Sequence, residues 1–186
     1  MTEATLARLL VFRVGSLVCA AEVDHVREIL PRLPTTRIPG APPVVAGLVN
    51  VRGRLITVVE GWRALKQPPP TDSGGAGGGS TIVLDLSAAA GNGVAGGSEG
   101  GTPEGTDAGQ QQGGQLIGFT VDDVMDMVAV SDAMLEDRSH GGLAGVDPTL
   151  VRAVGRRPPP APHGQVVVVL DVAALLGPIL FQGREQ

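Results

Sequence analysis

The chain has 186 residues, 28 of them glycine and 15 proline, with a formal net charge of -5 and a pI near 5.1. That length fits one domain or two small, closely joined ones, and the acidic balance argues against a nucleic-acid binder, which needs basic surface to displace the counterions condensed on phosphates. A single cysteine, Cys19, excludes an internal disulfide framework, argues against a zinc cluster and fits a reducing compartment.

The charge is unevenly spread: nine basic and five acidic residues lie up to position 70, against five and fourteen beyond it. An electropositive amino half favours acidic protein partners, although scattered charge of this kind is also what a solvated face carries. The apolar opening LARLLVFRVGSLVCAAEV reads as a strand pair and not as a secretory or lipoprotein signal. Arg8 and Arg13 interrupt it, Val18 is bulky where a cleavage site wants a small residue, and no run of about 20 apolar residues occurs anywhere. No direct membrane insertion is expected.

In chain order, residues 8 to 14 and 17 to 21 are apolar runs flanking Gly15-Ser16, the arrangement of a tight hairpin. Asp24 is placed to cap a short helical segment ending near Ile29, after which Pro31, Pro34 and Pro39 forbid a long helix and impose an extended crossing. Residues 44 to 60 (VVAGLVNVRGRLITVVE) hold two β-branched runs meeting at Arg52-Gly53, where glycine supplies the positive φ of a reversal.

Further strands are expected at 80 to 86, 115 to 121, 124 to 130, 150 to 155 and 165 to 170. In QLIGFTV the residues Ile117, Phe119 and Val121 share one face, whereas VVVVL is apolar on both faces and belongs in a central, doubly covered position. Residues 71–79 and 87–114 are dominated by small and polar residues and read as flexible Gly-rich loops, and RRPPPAPH (156–163) as a stiff Pro-rich connector. Three segments, VVEGWRAL, IVLDLSAAA and VVLDVAALL, each place an acid (Glu60, Asp85, Asp171) between an apolar strand and a helix-prone stretch, where it is expected to cap the following turn. That repetition suggests two related small barrels.

Chemistry-bearing patterns are sparse. His25, His140 and His163 have no spacing that converges with a carboxylate or with Cys19. Asp122, Asp123 and Asp126 do not share one face of a strand and read as a solvated turn or edge. GAGGGST lacks the lysine of a phosphate loop. An aspartate-dependent hydrolase built on Asp85 and Asp171 is a remote alternative, since neither site has the glycine that lets such a loop approach a substrate. No cofactor and no catalytic residue are expected.

Taken together, LLVFRVGSLVCAAEVDHVREIL, TTRIPGAPPVVAGLVNVRGRLITVV, LIGFTVDDVMDMVAV and QVVVVLDVAALLG resemble, in order and spacing, the CheW-like family of chemotaxis coupling proteins. The resemblance spans nearly all of the chain except the Gly-rich loops. It implies an all-β fold of two intertwined five-stranded SH3-like barrels with short helices, forming one CheW-like domain over residues 1–186. It also implies a non-enzymatic cytoplasmic adaptor, found at the inner membrane through receptor complexes. Such an adaptor joins the regulatory domain of a CheA-type histidine kinase to the cytoplasmic tips of chemoreceptors. An adaptor of another signalling or motility pathway, binding only a receptor or only a kinase, is the alternative.

Carried over position by position, Val26 and Glu28 match the family's valine-x-glutamate-isoleucine stretch, and Gly47, Asn50, Arg52 and Gly53 match its glycine and asparagine-x-arginine-glycine turn. These six are the candidate protein-binding residues. Arg52 leads, because a guanidinium at a hairpin tip offers several fixed donors to a partner; pinning the barrel junction is its structural alternative. Glu28 reads equally as an exposed helix-end charge, Gly47 and Gly53 as backbone requirements, and Val26 and Ile29 as core or groove wall. Thr57 replaces the family's usual proline, and Glu60-Gly61 its aspartate-leucine pair.

Overall fold

The computed structural model describes residues 6–70, 78–87, 115–131, 134–137, 146–156 and 165–181. Eleven strands and two helices are seen among them: β1 (Leu6–Val14), β2 (Leu17–Glu22), β3 (Val26–Pro31), β4 (Val45–Val51), β5 (Arg54–Glu60), α1 (Gly61–Ala64), β6 (Ser80–Asp85), β7 (Leu116–Val121), β8 (Asp123–Ser131), β9 (Leu135–Asp137), β10 (Val151–Arg156), β11 (Val166–Leu170) and α2 (Val172–Phe181). They form a six-stranded sheet ordered β8-β1-β2-β11-β10-β9 and a five-stranded sheet ordered β3-β6-β7-β5-β4.

The alternation of side chains explains why each sheet curls and why the two then join. Along β1, Leu9 and Val11 point into the six-stranded sheet with Ala20, Val130, Val167 and Val169, while Leu10, Phe12 and Val14 point the other way into a core shared with the second sheet. In the five-stranded sheet, Val49, Ile56, Val58 and Val83 fill the interior, and Val59, Ile82, Ile117, Phe119 and Val121 face the shared core. Two barrel interiors and one larger junction result, and at the junction Phe12 meets Phe119 edge-on with ring centroids 6.2 Å apart. Leu175 and Leu176 of α2 seal the same junction. The run VVVVL is central, between β2 and β10, with Val167 to Leu170 all buried.

The chain crosses between sheets early and returns late. After the β1-β2 hairpin it enters the five-stranded sheet, and only β8 onwards rejoins the first; β2 then pairs in parallel with β11 through Cys19↔Val168 and Ala20↔Val169. The five-stranded sheet, β3 to β7, is therefore inserted in sequence between the two parts of the six-stranded one. The three-residue β9, which the residue pattern does not announce, adds to β10 and makes the first sheet six-stranded.

Two local expectations are corrected. Asp24 caps no helix: Val23–His25 make a single 3-10 turn without a side-chain cap, and Val26–Pro31 form β3. The antiparallel ladder that β3 forms with β6 outweighs the weak helical preference of VREI, whose β-branched Val26 and Ile29 suit a pleated surface. Asp24 instead meets Arg8 at 3.4 Å. The capping acids divide: Asp171 accepts the Ala174 N–H at 2.9 Å as expected, but Glu60 makes no cap bond to α1. Residues 71–77, 88–114, 138–145 and 157–164, which hold most of the Gly-rich and Pro-rich segments together with His140 and His163, lie outside the described residues.

Candidate protein-binding site

All six candidate residues lie on the two end strands of the five-stranded sheet, β3 and β4, or on the turn that follows β4. The β4-β5 hairpin turns on Arg52 and Gly53, both with positive φ (50° and 83°), as a two-residue type I′ connection requires. Asn50 holds that turn: its Oδ1 accepts the Gly53 N–H at 2.8 Å. An asparagine followed by arginine-glycine thus builds its own reversal and projects the guanidinium, whose side chain is 82% exposed.

From the opposite edge, Glu28 of β3 reaches the same guanidinium, with Oε2 3.2 Å from Arg52 Nη2. β3 and β4 are the two end strands of the sheet and share no ladder, so this ion pair spans the seam where the barrel closes. Glu28 is therefore a half-buried strand residue and not a helix-end charge. Val26, two residues earlier, packs against the shared core beneath, whereas Ile29 is exposed.

Gly47, nearer the start of β4, serves the backbone. A Cβ there would lie 2.3 Å from the Thr36 carbonyl oxygen, and its φ of +148° disfavours any side chain. That contact lets Thr36 and Leu48 exchange backbone hydrogen bonds at 2.8 Å, pinning the segment between β3 and β4 onto the sheet.

Other polar clusters are structural. Asp85 at the end of β6 is buried, which alone would raise its pKa. The Ser87 hydroxyl at 2.5 Å, the Arg27 Nε at 2.7 Å and the Ser87 N–H at 2.9 Å outweigh burial and hold its carboxyl below the usual carboxylate range. Asp85 and Asp171 end strands of different sheets, and each is engaged in local bonds. Asp122 accepts the Gly15 N–H at 2.6 Å and so ties the first hairpin to the start of β8. Glu22 pairs with Arg152 across β11. Among the described residues, no group of three or more His, Cys, Asp and Glu is placed to hold a metal ion.

Glu60, expected to cap the turn after β5, is instead a junction. Its carboxylate accepts bonds from Arg32 at 2.9 Å, Trp62 Nε1 at 3.1 Å and Thr120 Oγ1 at 3.1 Å. The next residue has no room for a side chain, since a Cβ on Gly61 would lie 2.1 Å from the Thr120 carbonyl oxygen and 3.1 Å from the Phe119 ring. The Glu60-Gly61 pair, where the family has aspartate-leucine, is thus one unit: the glycine brings the chain close to β7 and the glutamate bonds the threonine there.

A family model described as CheW-like domain matches residues 8–178. The chain belongs to the CheW-like family. A solved CheW-like structure, the scaffolding protein TtCheW from Thermoanaerobacter tengcongensis, is similar over 92% of this chain and 93% of that one, with a TM-score of 0.67 and 16% identity. At that identity the likeness is one of fold. Among curated proteins, none matches the chain. CheW-like proteins are non-enzymatic scaffolds of chemotaxis signalling, and the SH3-like barrels described above are the form that scaffold takes. No helix among the described residues is long and apolar enough to cross a membrane.

Proposed function

We propose that the chain couples a CheA-type histidine kinase, through its regulatory domain, to the cytoplasmic tips of chemoreceptors, acting in the cytoplasm and reaching the inner membrane through receptor complexes. The observation that carries this reading is the Arg52–Glu28 pair. It joins, across the seam between the two end strands of the sheet, two of the four sequence stretches by which the chain resembles its family. Arg52 presents its donors to a partner, Glu28 and Asn50 orient it, Gly53 permits the turn, and Val26 supports the edge from below. Gly47 acts indirectly by holding the segment at Thr36 in place.

The test is co-sedimentation of the protein with a CheA-type kinase and receptor fragments. Ternary complexes are expected, and Arg52→Asp should weaken them by about 1 kcal/mol or more, as truncating a hot-spot arginine does. Full assembly by a correctly folded Arg52→Asp protein would remove Arg52 from the interface. Pairwise mixing that captures only the receptor or only the kinase would replace coupling with the narrower adaptor role.

A further inference from the structure

The segment between β3 and β4 and the start of β4 enclose a cleft of about 350 Å³, lined by Arg37, Ile38, Pro42, Pro43, Glu60 and Arg63 among others. It lies at the other end of β4 from Arg52, roughly 20 Å away at the rise of an extended strand. The cleft is therefore distinct from the Arg52–Glu28 pair.

The cleft is built and not a gap between loose loops. Thr36 and Leu48 clamp one side, the Val45 N–H bonds the Pro42 carbonyl at 2.9 Å, the Ala41 N–H bonds the Ile38 carbonyl at 3.2 Å, and the Glu60 N–H bonds the Val44 carbonyl at 2.8 Å. Ile38, Pro42 and Val45 contribute apolar side chains to its lining, and Ile38 is 38% exposed. Its charge is unbalanced. The one acid, Glu60, is neutralised by Arg32 and further bonded by Trp62 and Thr120. Arg37 and Arg63 meet no carboxylate among the described residues, and the Arg63 guanidinium is stacked 4.3 Å over the Trp62 ring, which orients it while leaving its N–H groups free.

We infer that this cleft is a docking site for an acidic segment of a protein partner. A glutamate or aspartate carboxylate bridges Arg37 and Arg63, and a neighbouring apolar side chain rests on Ile38 and Pro42. Two guanidinium groups beside a few apolar side chains select for this chemistry, because a carboxylate takes their paired donors and the adjoining residue gains the apolar contact. The pinned backbone keeps the cost of ordering the site low.

Trp62 makes the test direct, since it is the only tryptophan and the chain has no tyrosine, so intrinsic emission arises beside the cleft. The probe is a short labelled peptide alternating glutamate and leucine, followed by anisotropy and by Trp62 emission, with a glutamine-leucine peptide of the same length as comparison. Saturable binding of the acidic peptide with a change in Trp62 emission is expected, weakening as salt rises. The Arg37→Gln, Arg63→Gln protein should bind about tenfold or more weakly, as loss of charge-assisted bonds implies, and Ile38→Asp should weaken binding likewise, while Arg156→Gln on the other sheet should not.

Equal binding of the glutamine peptide, or native binding by both cleft variants with unchanged circular dichroism, would overturn the inference. So would displacement by inorganic phosphate at matched ionic strength, which would mark a simple anion site. Self-association of the wild type that the Arg37→Gln, Arg63→Gln change abolishes would instead assign the cleft to a second copy of the chain.

Discussion

Arg52 and Glu28 meet at 3.2 Å across the one seam of the five-stranded sheet that no ladder closes. Because the guanidinium is mostly in water, the pair adds little to stability, about 0–1 kcal/mol. Arg52→Ala should therefore shift the melting temperature by no more than about 4 °C in a chain of this size. Thermal unfolding followed by circular dichroism checks this, and a larger drop would mean that the arginine holds the barrel shut.

Gly61 is the opposite case, where a single methyl group has nowhere to go. Gly61→Ala should cost at least about 2 kcal/mol, since the Thr120 carbonyl is backbone and cannot step aside. Urea denaturation of this variant beside Gly53→Ala, whose added Cβ meets nothing within 4 Å, separates crowding from backbone strain. Equal losses at the two sites would refute the crowding argument.

Asp85 predicts a pH dependence whose sign follows from its lowered pKa. A carboxyl held lower in the folded state than in the unfolded one stabilises fully above its unfolded value, about 3.9, and loses that contribution as pH falls through the folded value. Asp85→Asn should be less stable by about 1–3 kcal/mol near neutrality, the worth of bonds to a charged group. The gap to the native protein should narrow below about pH 4. Denaturant titrations at several pH values measure it, and a gap that stays constant to the acid limit would contradict the assignment.

Cys19 should resist chemistry in the folded protein. It is fully buried on β2, and burial pushes its thiol up to about 12, so neither access nor thiolate is available near neutral pH. Modification by a thiol reagent should track global unfolding as denaturant is added; rapid labelling of the native protein would disprove it.

Much of the strand pattern was legible because it is local. The β-branched runs, Gly15-Ser16 and Asn50 through Gly53 announce hairpins from neighbouring residues alone, and the two-faced apolarity of VVVVL announces a central strand. What stayed hidden depends on distant partners. VREI reads as a short helix until β6 is known to lie beside it. Glu60 looks like a cap because nothing nearby reveals that Thr120 will offer it a hydroxyl. β9 is too short for a period to show. At the candidate site, family resemblance supplied Glu28 and Arg52 separately, but their meeting is a product of barrel closure. Arg37 and Arg63 carry no local signal, since exposed arginines ordinarily mark only a hydrated surface.

The parallel contact between Cys19 and Val168 has a consequence for biosynthesis. A ribosome releases the first hairpin long before its neighbouring strand exists, so β2 waits with an unsatisfied edge while the intervening sheet assembles. Closure across such a separation is slow, and a polypeptide cut short before β11 would leave that edge open to other nascent chains. The architecture that fastens its two halves together also makes the protein dependent on being finished.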